Sequence, residues 1–348
     1  MSANPIYHLK DCYFFEVPKA LWRQGWQTMA DVPQFLRDGS PEVTDVAAFN
    51  EAMDGKILIP QPFAALESLY AVKSGFGISK YMILELLVAA GMFLIFTWVA
   101  SRLRSGDAPR GRLLNLFDAM LLFIRDNIAR PAIDDHGHGH DDDAGHHDHG
   151  QPEHGGHDHG GHGHAVAHAA AHTGDRFVPL LWTLFFFVLG CNLMGMVPWA
   201  GSPTASFSVT LALAAVTMAT VFLAGMAKFG FLGFFGNQVP SMDLPLPIAI
   251  LLKPMIFAIE MLGLCIKHLI LAVRLLANMV AGHLVLLGIM GLITAAASYS
   301  MGMWATVTGI SVVSCTLFSL LELFVAFLQA YIFTFLSALF IGAAVHQH

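Results

Sequence analysis

The chain has 348 residues, of which 55% are hydrophobic and only 12% charged, and its formal net charge is −7. Soluble globular proteins carry about 25% charged residues, so this composition excludes a soluble domain and implies an integral membrane protein. The long apolar runs lack the alternation of barrel strands, so the spans should be helical. The acidic residues sit mainly in the N-terminal segment and in one His/Asp tract, so the net charge points to no nucleic acid. Cys12, Cys191, Cys265 and Cys315 are scattered, without disulfide or metal-ligand spacing.

Residues 1–75 mix charges, Pro and Gly with moderate apolar content. They predict an extracytoplasmic segment with two short helices and no cleavable signal peptide, because no basic start precedes an apolar core. The first span is predicted over 78–101, long enough to cross once. Arg102, Arg104, Arg110 and Arg112 follow directly. The positive-inside rule puts that end in the cytoplasm and the N-terminus outside. In 112–130, Leu113, Phe117, Met120, Ile124 and Ile128 repeat at helical spacing, with Asp118, Arg125 and Asp126 off the stripe. The segment is too short and too charged to cross, so an amphipathic helix in the cytoplasmic interface is expected, with a soluble linker helix as the alternative.

Residues 134–172 form a low-complexity tract holding thirteen of the eighteen histidines. It cannot bury a core and should be a disordered cytoplasmic insert. His136, His138, His140, His146, His147 and His149 can bind divalent transition metals through imidazole. Without fixed ligand spacing, a solvated insert that binds such metals only incidentally is the favoured reading.

Two spans follow, over 177–198 and 205–227, joined by a loop with Pro198, Gly201 and Pro203 into a helical hairpin. Lys228 marks the cytoplasmic return. The apolar stretches 245–294 and 303–345 are each about twice the ~20 residues a crossing needs, so strong tilt or a break is expected. The fold class is therefore an all-α integral membrane protein. It should have five membrane-crossing helices, the last two long and strongly tilted, plus an interfacial amphipathic helix. Its parts are 1–75, 76–133, the insert 134–175, and a four-helix domain over 176–348.

Between Phe177 and Val345 only seven Lys, Arg, Asp or Glu residues occur: Lys228, Asp243, Lys253, Glu260, Lys267, Arg274 and Glu322. Lys253, Glu260, Lys267 and Arg274 are spaced by seven, which stacks them on one helix face. An arginine at the centre of a span costs about 2.5–3.5 kcal/mol on insertion scales, and intramembrane ionisable groups mark ion pathways. Glu322 and Gln329 share a face of the last helix. If the two long helices are antiparallel, Arg274 and Gln329 can meet near mid-membrane, and His283 and Glu322 further out. His283 is nine residues from Arg274, rotated about 180° away, so it should line a cavity reached from the other side, with Asn278 between. Glu260 would line a second cavity on the inner side. Two half-channels that do not join, separated by one fixed cation, fit this spacing. A Glu260–Lys267 ion pair is the structural alternative.

The string LAVRLLANMVAGH (271–283) resembles the essential-arginine helix of ATP synthase subunit a, the membrane stator of F-type rotary ATPases. RFVPLLWTLFFFVLGCNLMGMVP (176–198), PTASFSVTLALA (203–214) and LELFVAFLQAYIFTFLSALFI (321–341) agree with that family. The resemblance covers 176–348 well and 78–133 weakly. It implies that Arg274 is the essential arginine, Gln329 its partner glutamine and Asn278 the asparagine beside it. Glu260 would be the acid of the cytoplasmic half-channel. His283 stands where bacterial members often carry Glu, and Glu322 where they often carry His, so the swap keeps one acid and one imidazole. The family implies a ring of c subunits and the subunit b stalk as partners in a bacterial inner membrane, with the C-terminus cytoplasmic. It implies no cofactor and no catalysis by this chain alone. The implied ion is H⁺, with Na⁺ the alternative because that choice resides mostly in the ring. The His/Asp tract and the long N-terminal segment depart from the family pattern. A divalent-metal transporter is the rival reading, but no span carries a His/Asp pair at i, i+4, and the deep cation would repel metal.

Overall fold

The computed structural model describes residues 11–41, 43–103, 111–134, 173–197, 200–237 and 246–346. The N-terminal part contains the two short helices expected, α1 (Gln34–Gly39) and α2 (Val46–Met53). Asp45 caps α2 by accepting a hydrogen bond from the Ala47 N–H at 3.0 Å. It also contains two small antiparallel ribbons that the composition did not announce. One pairs β1 (Phe14–Glu16) with β2 (Lys56–Leu58); the other pairs β3 (Ala64–Ser68) with β4 (Ala71–Gly75). Gly75 sits at φ +88°, and a Cβ there would lie 2.1 Å from the Phe63 carbonyl oxygen, so only glycine closes that ribbon. Phe14, Val32, Phe49, Met53 and Ile59 are buried and form this module's own core.

The module is tied to the first long helix, α3 (Lys80–Leu103). The Lys80 N–H donates to the Cys12 carbonyl at 2.8 Å. The Tyr81 N–H donates to Asp11 Oδ1 at 3.4 Å. Gln61 both donates to the Ile78 carbonyl and accepts from the Ile78 N–H, each at 2.8 Å.

Among the described residues five helices are long and apolar enough to cross a membrane, over Lys80–Arg102, Gly174–Gly195, Phe207–Phe229, Leu252–Ala296 and Met301–Val345. The helices that hold them are α3, α6 (Val178–Gly195), α7 (Phe207–Phe229), α9 (Leu246–Ala296) and α10 (Met301–Val345). Phe96 of α3 stacks on Trp182 of α6 with centroids 4.5 Å apart. Nearer the other end, Gly190 admits Val88 so closely that an added Cβ would lie 2.7 Å from it. These two contacts fix α3 and α6 as antiparallel neighbours.

α9 has 51 residues and α10 has 45. At 1.5 Å per residue they run about 76 and 68 Å, more than twice the ~30 Å hydrocarbon core, so neither crosses upright. Pro254 lies inside α9 without ending it. Residues 297–300 join the two, and the Ser300 hydroxyl caps α10 by accepting from Met303 N–H at 3.4 Å. So short a link makes them antiparallel neighbours.

The amphipathic segment is one helix in three pieces: α4 (Arg112–Ile124), a π turn (Arg125–Ala129) and α5 (Arg130–Asp134). Ile124 and Ile128 are buried as expected, but Leu113 is 63% exposed and Leu114 takes its place on the inner face. A π turn adds a residue to the repeat, which re-aims the buried side in α5. There α5 meets α10 so closely that a Cβ on Gly342 would lie 2.1 Å from the Ala132 carbonyl oxygen. In the Gly/Phe/Pro-rich loop before α9, a short helix α8 (Phe231–Asn237) buries Phe234 against Phe222 and over Gly225. The central core runs through Leu181, Val188, Val221, Leu271, Leu275, Phe333 and Ile341. The expected insert lies mostly outside the described residues, with the six tract histidines singled out above.

Candidate functional site

The buried face of α9 is Leu271, Ala272, Leu275 and Met279. Arg274 and Asn278 stand at its edge and are half-buried. Among the described residues Arg274 has no ion pair with an acid of its own chain. Gln329 is buried on α10, 5% exposed. No side-chain hydrogen bond joins Arg274 to Gln329, so their meeting amounts to placement on neighbouring helices. Glu260 and Lys267 are exposed on α9, with no salt bridge between them among the described residues. Their spacing separates them by about 10 Å along the helix, too far for an ion pair.

His283 and Glu322 do come together. His283 Nδ1 lies 3.4 Å from Glu322 Oε1. The same nitrogen lies 3.0 Å from the Met279 carbonyl. One Nδ1–H cannot serve both well, and the shorter carbonyl contact has the first claim on it. Glu322 Oε1 is then buried without a hydrogen-bond partner. A proton on Glu322 would meet that need by donating to Nδ1 in the other tautomer, which makes the pair a place where one proton has two homes. Glu322 reaches His283 because residue 282 is glycine: a Cβ there would lie 2.7 Å from Glu322 Oε1.

The pair continues into a polar cluster that the charge pattern did not reveal. Met279, whose carbonyl holds His283, packs its methyl against Gly195 at the end of α6, 2.6 Å from where a Cβ would stand. Gly195 in turn has Ser202 so close that an added Cβ would meet its hydroxyl at 2.8 Å. Ser202 and Thr204 share a hydrogen bond of 2.9 Å, Thr204 donates to Asn192 Oδ1 at 2.9 Å, and Asn192 Nδ2 donates to the Ala326 carbonyl at 3.4 Å. All three side chains are buried, at 0–1% exposure. Neutral polar residues escape a search for charges. The available signal was Asn192 in the middle of an apolar run, since a buried amide needs partners.

Two more ionisable groups were passed over. Glu85 lies inside the first span, with Oε1 buried and unpartnered. His268 on α9 is 2% exposed, packs on Phe340 with centroids 4.9 Å apart, and donates Nδ1–H to the Leu264 carbonyl at 2.9 Å. Among the described residues no group of three His, Cys, Asp or Glu side chains is arranged to hold a metal ion.

Fold and site together define a class: a polytopic helical membrane protein whose two overlong helices carry ionisable side chains at membrane depth. A family model described as the ATP synthase A chain matches residues 163–342. An ATP synthase subunit a from Anaeromyxobacter sp. (strain Fw109-5) is 31% identical over 351 residues, covering 100% of this chain and 71% of the relative. That of Chloroherpeton thalassium is 33% identical, covering 88% of this chain and 78% of its own length. That of Myxococcus xanthus is 34% identical over 78% of this chain and 75% of its own. The chain belongs to the ATP synthase subunit a family.

Proposed function

We propose that this chain is the proton-translocating stator of an F-type ATP synthase, working against a ring of c subunits and held by the subunit b stalk. It lies in a bacterial inner membrane with its N-terminus outside and its C-terminus in the cytoplasm. The observation that carries this reading is Arg274, a half-buried cation in a 45-residue apolar stretch with no acid of its own chain to neutralise it among the described residues. A charge kept there at a cost of a few kcal/mol needs a partner from outside the chain. A ring carboxylate passing by is such a partner.

Protons from the outer side reach the ring through the His283–Glu322 pair, on the flank of α9 turned away from Arg274. They leave toward the cytoplasm along the flank bearing Glu260. Arg274, with Asn278 and Gln329 beside it, holds the passing ring carboxylate ionised by opposite-charge attraction and blocks direct leakage between the two paths. Each proton moving down 100 mV supplies about 2.3 kcal/mol. A lysine at 274 would serve poorly, because it can lose its proton when desolvated and arginine cannot.

The test is Arg274→Ala in the assembled synthase. Proton-driven ATP synthesis in membrane vesicles is expected to fall to background while subunit assembly persists. Normal synthesis in that variant would defeat the assignment.

A further inference from the structure

Glu85 is an acid inside the first apolar span, five residues from its start, or about 7.5 Å along the helix. Its flanking residues Leu84 and Val88 are buried against the bundle, while Leu86 and Leu87 face outward. One carboxylate oxygen of Glu85 is buried and has no hydrogen-bond partner among the described residues. A structural acid in such a position would be paired, because an unpaired charge in an apolar setting is costly.

Its surroundings run in two directions. On the outer side stands Asp11 of the N-terminal module, close enough to interact electrostatically. Burial pushes the Asp11 carboxyl above its ordinary value, and Lys80 acts on it in the opposite sense. On the inner side, Val88, three residues further along α3, packs so closely on Gly190 of α6 that an added Cβ would lie 2.7 Å from it, and Cys191 follows Gly190. Asn192 follows Cys191 and begins the hydrogen-bonded run to Thr204 and Ser202. That run ends at Gly195 and the His283–Glu322 pair. The loop bearing Ser202 also touches the head of α3, where the N-terminal module docks: a Cβ on Gly201 would lie 3.2 Å from Lys80 Nζ and 3.4 Å from the Tyr81 ring.

We infer that Glu85 is the proton-loading carboxylate at the outer mouth, feeding His283–Glu322 through the Asn192–Thr204–Ser202 cluster, with Asp11 of the docked N-terminal segment and Lys80 at the head of α3 shaping access to it. This rests on the proton-translocation reading above. In each cycle a hydronium ion from the outer aqueous phase gives its proton to the Glu85 carboxylate. The carboxylic acid passes a proton inward through water from that phase and the hydroxyls of Thr204 and Ser202, and the imidazole of His283 receives it. Glu85 returns to carboxylate, and only O–H and N–H bonds form and break. Among the described residues, the groups around Glu85 that carry or can carry charge are Asp11, Cys191 and, on its own helix, Lys80 and Tyr81.

The experiment uses the whole synthase in proteoliposomes, with proton flux recorded against the pH of the outer side. Glu85→Gln keeps the shape and removes the proton site; flux should fall on the order of a hundredfold, the lower end of what a positioned proton-transfer group supplies. Glu85→Asp should keep most of the flux and move its pH profile. Wild-type flux and profile in Glu85→Gln would overturn the inference. If the Gln variant fails to assemble, the Asp variant decides, and an unshifted profile sinks the idea. Arg274→Ala and His283→Ala run alongside: if they block flux while Glu85→Gln does not, only the role of Glu85 falls. If none of the three matters, the translocation reading itself fails.

Discussion

Gly282 leaves no room for a side chain beside Glu322, and that absence is what lets the acid reach His283. In Gly282→Ala the new Cβ would sit 2.7 Å from Oε1 and 3.1 Å from the carboxyl carbon. The carboxyl is the free end of a flexible side chain, so it yields before the helices do. Alanine is favoured over glycine in a helix interior by about 1 kcal/mol, which offsets the local crowding. Assembly should therefore be near normal while proton flux drops severalfold; equal flux would mean the pair need not touch. The exchange of residue types offers a second check. His283→Glu or Glu322→His alone leaves two like groups and should stop flux. The double exchange restores one acid and one imidazole at the two positions that lie 3.4 Å apart in the parent pair and should recover a substantial fraction. Flux in the double variant no better than in either single variant would show that position, not complementarity, governs the relay. The meeting of His283 and Glu322 was legible in the sequence because charged or strongly polar residues stand out against apolar runs at fixed spacing. Asn192, Thr204 and Ser202 were not, because only the turn over Pro203–Ala205 brings them together.

At the scale of elements, the two ends of the His-rich insert meet. The Gly174 N–H donates to Asp134 Oδ1 at 2.9 Å, and Arg130 makes a two-pronged bridge to Asp175 at 2.9 and 3.0 Å. The Arg125 guanidinium beside Asp126 holds that carboxyl below its ordinary range, and Arg130 adds to the effect. The base is closed by Arg130, Asp134, Gly174 and Asp175, none of which lies within 137–170. Replacing 137–170 by a short Gly/Ser link should leave assembly and ATP synthesis within about twofold of the parent, since each doubling of loop length changes closure by only ~0.6 kcal/mol. Retention on an immobilised nickel column should vanish in the same variant. Loss of the assembled complex would show that the tract supports the fold. The helix leading into this base could be read from its apolar repeat, but the exchange of Leu113 for Leu114 could not. The π turn at Arg125–Ala129 is selected by close packing of α5 on Gly342, a contact remote in sequence.

For the molecule as a whole, helix length was the most readable quantity. Apolar stretches of 45 residues forced the conclusion that two helices cross at a strong tilt. The N-terminal ribbons stayed hidden because strands of three to five residues leave no periodicity to detect. The length has a further consequence. A tilted pair of helices buried on one side presents a continuous apolar flank on the other, and Ile259, Leu262, Ile266, Ile270 and Val273 of α9 are all exposed along it. Lipid could cover that flank, as it would cover Leu94 of α3, which is 66% exposed. The two surfaces differ in what lies beside them. Ile270 is four residues from Arg274, about 6 Å along the helix, whereas Leu94 has no ionisable neighbour within a turn. In the function proposed above, a cation that needs an external carboxylate brings the ring against its own flank. With cysteine placed at the ring's outer surface, Ile270→Cys should therefore form a disulfide with it under mild oxidation, and Leu94→Cys should not. Cross-linking at both sites, or at Leu94→Cys alone, would move the ring to a different face and leave Arg274 without the partner its burial demands.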